Sequence, residues 1–150
     1  MKYFIFVLAL SFCANSTAHA NAIDWANGAW GIDVDNVPEG IDAKALDKLR
    51  GCATSPVWIT ADRDTLRYTA VHSGEEGFKS ESPILSSEKR WISLQYDGET
   101  RRMKNGDLQI WHMVFVSEDK FYWVLGKGVE DGERESIVPT ARVRCKNFIG

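Results

Sequence analysis

The residues with the greatest capacity for recognition in this sequence are aromatic. Six tryptophans, Trp25, Trp30, Trp58, Trp91, Trp111 and Trp123, are spread along 150 residues, and the densest apolar stretch is 108–125. There Leu108, Ile110, His112, Val114 and Val116 alternate with Gln109, Trp111, Met113 and Phe115. In the following run Phe121, Trp123 and Leu125 oppose Tyr122 and Val124. A half-exposed antiparallel strand keeps one face polar, whereas both faces of this hairpin are apolar. Something must therefore cover the second face. Either the early helix or the termini pack there, or the face lines a cavity or a partner patch. The binding candidates are Trp111, Met113, Phe115, Phe121 and Trp123.

Groups suited to catalysis are sparse. His112 lies in an apolar row without a partner motif, the setting of a hydrogen-bonded packing histidine. His72 follows a strand, but no acid or nucleophile pattern points to it. Gly126-Lys127-Gly128 lacks the remaining residues of a phosphate loop and reads as a turn. Arg101, Arg102 and Lys104, flanked by Glu99 and Asp107, read as a solvated edge that discourages strand-to-strand association. No nucleophile–base pair, metal cluster or cofactor loop is visible, so neither an enzyme nor a cofactor is expected.

The first twenty residues have their own logic. Lys2 precedes an uncharged apolar run at 3–13, and Ala18 and Ala20 stand at the −3 and −1 positions of a cleavage site. That is the layout of a signal peptide, and the run is too short to span a bilayer. Cys13 follows the bulky Phe12 rather than a small residue, so it leaves with the peptide instead of being lipidated. The expected product is a single exported domain, 21–150, periplasmic or secreted. Export leaves Cys52 and Cys145, an even count where disulfides persist. A metal pair or reactive thiol is the alternative, but His72 and His112 sit at no recognisable metal spacing from either cysteine.

The elements that would position these residues are short. Residues 21–37 read as a loop leading to a brief strand. Asp42 is a helix N-cap, with Ile41 and Leu46 spaced as a hydrophobic staple. Ile41, Ala45 and Leu49 form an apolar stripe, and Gly51 stops the helix. Thereafter strands alternate with turns: 57–60; 65–72, with Leu66, Tyr68 and Ala70 on one face; 78–85, where Pro83 favours an edge or bulge; 91–96; 100–104; 108–116; 121–125; 135–138; and 141–145. Asp97-Gly98 and Asn105-Gly106 are hairpin dipeptides. The fold class is mainly β, a small antiparallel meander barrel or sandwich of eight to ten short strands with one short N-terminal helix.

Charged residues make up 26% and hydrophobic ones 44%, with a net charge of −3, which excludes a disordered chain and a nucleic-acid footprint.

Gly28-Ala29-Trp30-Gly31, the many strands and the cysteine near the end resemble the lipocalin-like, or calycin, barrels. The resemblance implies that Gly28 and Trp30 open the first strand, with the tryptophan plugging one barrel end. Phe121-Tyr122-Trp123 before Gly126-Lys127-Gly128 is similar to a segment of bacterial β-barrel inhibitors of lysozymes or proteases. The serine-glycine motif of those inhibitors is replaced here by Ser117-Glu118-Asp119, and no inhibitory residue carries over. The expected function is non-enzymatic binding of a small apolar ligand. The alternative is a protein-partner module, such as an inhibitor of a secreted hydrolase, acting through loops 73–77 or 126–132. A large interior void favours the first, a filled barrel the second.

Overall fold

The computed structural model describes residues 21–73 and 79–146. Cys13, Ala18, Ala20 and Phe78 lie outside them. Among the described residues nine strands form one antiparallel sheet: β1 Gly28–Ile32, β2 Val57–Asp62, β3 Arg67–His72, β4 Lys79–Ser87, β5 Trp91–Leu94, β6 Trp111–Ser117, β7 Lys120–Gly126, β8 Arg134–Ile137 and β9 Arg142–Arg144. Strands β1 to β7 pair in sequence order except where β9 inserts between β7 and β1, which closes an eight-strand barrel. The outer edge of β7 is divided: Lys120 and Phe121 pair with β9, while Val124 and Leu125 pair with the β8 flap.

Alternation along each strand decides what fills the barrel. Trp30, Ile59, Ala61, Tyr68, Ala70, Ile84, Ile92, Leu94, Met113, Phe115, Phe121 and Trp123 belong to one buried cluster. Pro83 sits in β4, a ring strand rather than an edge, and the register shift between Ile84 and Ser86 places a bulge beside it.

One end of the barrel is plugged. Residues 21–37 are more than a loop and strand, because α1 (Ala22–Ala26) precedes β1, capped by Asn21 with Asp24 returning the hydrogen bond. An aspartate at the third helical position shortens the usual capping box and hides it from a search for Glu or Gln. Ala22, Ile23 and Ala26 are buried, and Trp30 Nε1 donates to the Ala26 carbonyl at 2.8 Å. Gly28 has φ +134°, a conformation that side chains rarely adopt, so glycine is required there.

The second helix, α2 (Ala43–Arg50), begins at Asp42, which accepts from the Lys44 and Ala45 amides, and ends at Gly51 as its signals require. Its expected apolar stripe is not buried: Leu49 is 57% exposed, and the helix contains no buried residue. It packs beside β1 rather than over the 108–125 hairpin. What holds it is covalent. Cys52, just past the helix, is bonded to Cys145, with their Cα atoms 5.3 Å apart.

Four further expectations are corrected. Leu66 does not share the inward face of Tyr68 and Ala70, because it turns at φ 51° and is 49% exposed. Strand 100–104 is reduced to a bridge between Arg102 and Leu108, closed by the Asn105-Gly106 turn. The Asp97-Gly98 turn therefore opens an excursion rather than a two-residue hairpin, and β6 begins at Trp111 instead of Leu108. Buried Met103 and Gln109 belong to this excursion.

Candidate functional site

The five expected residues share the inner face of β6 and β7, where register pairs Met113 with Trp123 and Phe115 with Phe121. They do not share one role. Met113 and Phe115 are fully packed, whereas Trp111, Trp123 and the equally buried Phe121 contribute to the lining of a half-open cavity of about 1030 Å³ that enters the barrel from its mouth. That volume is at the upper end of the roughly 300–1,000 Å³ of small-molecule sites.

A chain of edge-on ring contacts runs down the wall. Tyr96 meets Trp111 at 5.7 Å, Trp111 meets Trp123 at 6.0 Å, Trp123 meets Phe121 at 5.5 Å, and Phe121 meets Trp30 at 4.9 Å. Trp30 and Trp25 both abut Phe115 at the plugged end. Such T-shaped pairs satisfy the ring quadrupoles and fix each ring's tilt. Arg144 seals the base: its guanidinium lies 4.5 Å over the Trp30 ring and donates to the Asn27, Trp25 and Glu118 carbonyls and to Asp119.

The mouth is polar. Glu99 accepts from Trp111 Nε1 at 3.0 Å and from Arg101 Nε and Nη2 at 2.6 and 2.7 Å. Arg101 also lies 4.7 Å from the Trp111 ring centroid, so ion pair and ring orient one another. The Arg101 hydrogen bond, aided by the Trp111 N–H, holds the Glu99 carboxyl down to about 2. Arg67 bonds Asp97 at 2.6 Å and approaches Glu81 at 3.4 Å, and Lys79 also pairs with Glu81. Arg101 is thus more than a solvated edge residue.

Residues that sequence reasoning missed lie between mouth and base. Tyr68, Tyr96, Arg50, His72 and Arg142 all line the cavity. Tyr68 is 2% exposed, and burial pushes its hydroxyl well above the ordinary phenol range. Burial likewise pushes Tyr96 up to about 12. Arg142 is drawn down to about 10 by burial and then by the charge of Arg50. The alternation of β3 put Tyr68 on one face with Ala70 but did not say that this face lies inside. Arg142 gave no such signal, because an Arg-Val-Arg strand reads as charged faces outward.

His112 lies on the outer face of β6 and is 2% exposed. Its Nε2 is 3.0 Å from the Gly126 carbonyl, which makes that nitrogen the donor, so Nδ1 accepts the Ser93 hydroxyl at 2.6 Å. Both partners are buried, as expected of a satisfied packing histidine. Burial lowers the His112 pKa. The second face of the hairpin is covered only in part: β8 pairs beside buried Val124, while Val116 is 48% exposed.

Among the described residues no group of His, Cys, Asp and Glu is arranged to hold a metal, and no helix is long and apolar enough to cross a membrane. The closed eight-strand antiparallel barrel fits a lipocalin-like barrel in general. No family model, curated protein or solved structure matches the chain, so the site is read from its own residues.

Proposed function

We propose that this protein is an exported, non-enzymatic, lipocalin-like carrier that encloses a small, largely apolar ligand. The observation that supports this is the void itself. Above the end plugged by α1, Trp30 and Arg144, a half-open cavity of about 1030 Å³ runs from the polar mouth at Glu81, Asp97 and Glu99 toward Trp111, Trp123 and Tyr68. Eight strands enclose a lumen of the size that small side chains leave open for one ligand. Ala70 matters here, because it lines the cavity with only a methyl group. The disulfide is compatible with an oxidising compartment and supports export.

Titration with dodecyl alcohol, read by tryptophan fluorescence, tests the reading. Saturable one-to-one binding is expected, with loss of binding in Ala70→Phe, whose ring would occupy the void. A folded protein that binds nothing, or an Ala70→Phe variant that binds as well as the parent, overturns the carrier reading and favours a protein-partner surface.

A further inference from the structure

Arg142 and Arg144 lie two residues apart on β9, opposite Ile32 and Trp30 of β1, and so face the same side of the barrel wall. Their fates differ. Arg144 makes four hydrogen bonds at the base. Arg142 lines the cavity, and its Nη1 is buried with no hydrogen-bond partner among the described residues. The residue itself is only partly buried, but a guanidinium nitrogen buried without a partner is costly, and the group stays charged under ordinary conditions. The groups near enough to perturb it are the cation Arg50 and the phenols Tyr68 and Tyr96, with no carboxylate among them. The acids at the mouth are already taken: Glu99 by Arg101, and Asp97 and Glu81 by Arg67 and Lys79.

We propose that the ligand is an amphiphile with one carboxylate head, held by Arg142 between the Tyr68 and Tyr96 hydroxyls, its chain packed along the Trp111–Trp123 wall. This rests on the carrier reading and specifies its ligand class. The guanidinium fork matches a carboxylate in plane, and the two phenols remain protonated donors for its other lone pairs. One guanidinium with two neutral hydroxyls suits a single planar charge better than a phosphate dianion. An acid of this kind supplies the missing counter-charge and the apolar surface in one molecule.

The test compares dodecanoate, dodecyl alcohol and dodecyl phosphate on the parent protein and on Arg142→Met and Tyr68→Phe, by tryptophan fluorescence at neutral pH. The parent should bind dodecanoate at least about tenfold more tightly than the alcohol, the scale of one charge-assisted hydrogen bond. Arg142→Met should erase that preference while leaving alcohol binding within about twofold. Tyr68→Phe should weaken the acid alone. Equal binding of acid and alcohol by the parent overturns the headgroup site and leaves the carrier reading standing. A preference that survives Arg142→Met overturns the role of Arg142, and tighter binding of the phosphate overturns the choice of carboxylate. Failure of all three probes overturns both readings together.

Discussion

Trp123 and Trp111 are neighbours in one chain of ring contacts, yet truncation should affect them differently. Trp123 is 8% exposed and touches Phe121, Tyr68 and Trp111, so Trp123→Ala should cost about 3–5 kcal/mol. Trp111 stands nearer the mouth and is only partly buried, so Trp111→Ala should lose less stability while weakening ligand binding. Thermal unfolding of both variants checks the order, and equal losses would contradict it. Glu99 gives a pH signature. Its carboxyl is held down to about 2 from an ordinary 4.5, so its stabilisation is complete above about 4.5 and is lost as pH falls toward 2. The gap in unfolding midpoint between the parent and Glu99→Gln should accordingly shrink across that window, and a gap independent of pH would contradict the assignment. His112 acts in a higher window. Its lowered pKa means that its contribution is complete above 6.5 and declines as pH falls below that value. Ser93→Ala leaves buried Nδ1 without its donor and should cost about 1–3 kcal/mol, read by denaturant unfolding. At this scale the aromatic wall was legible in the sequence because β alternation sorts Trp111, Met113 and Phe115 from His112 and Val114. The polar lining was not. Nothing local distinguishes inward Arg142 from an exposed strand arginine, and Tyr96, on the face of Ile92 and Leu94 in the expected strand 91–96, reads as one more core ring rather than a polar lining group.

Among the elements, β1 joins the plug, the disulfide and the barrel seam. A Cβ on Gly31 would lie 2.7 Å from both the backbone nitrogen and Sγ of Cys52, so the chain after α2 can approach β1 only over a glycine. Gly31→Ala should therefore lower the unfolding midpoint, by about 1–3 kcal/mol in stability, and an unchanged midpoint would contradict this close packing. Reduction of Cys52–Cys145 opens a link spanning 93 residues, for which chain entropy gives an upper figure of roughly 4–5 kcal/mol. The reduced protein should unfold at a lower temperature, and an identical midpoint would contradict a stabilising bridge. Elements with strong local signals were legible: Asp42 and Gly51 bracket α2, and nine strands fall within the expected eight to ten. Elements decided by distant contacts were not. Strand 100–104 had turn dipeptides on both sides but no free edge to join, because β5 already pairs with β6. The stripe of α2 suggested burial, yet a helix tethered by Cys52 and packed beside β1 needs little apolar contact to stay in place.

For the whole molecule, closure is the property that no segment encodes alone. It depends on β9 reaching β1 and β7 at once, with Trp30 opposite Arg144 and Lys120 opposite Val143. Barrel and sandwich were equally compatible with the strand count, and that insertion decides between them. Export belongs to this scale too. The protein recovered from the exporting cell should begin at Asn21, whose side chain caps α1, and intact mass decides it: retained Met1 or a lipid on Cys13 would contradict the reading. The central claim is that the closed barrel keeps its interior open for a ligand. A crystal structure of the protein with dodecyl alcohol tests it most directly. The account predicts the alkyl chain inside the barrel against Trp111, Trp123 and Tyr68. It is contradicted if those side chains have collapsed to fill the lumen and any alcohol present lies on the outer surface.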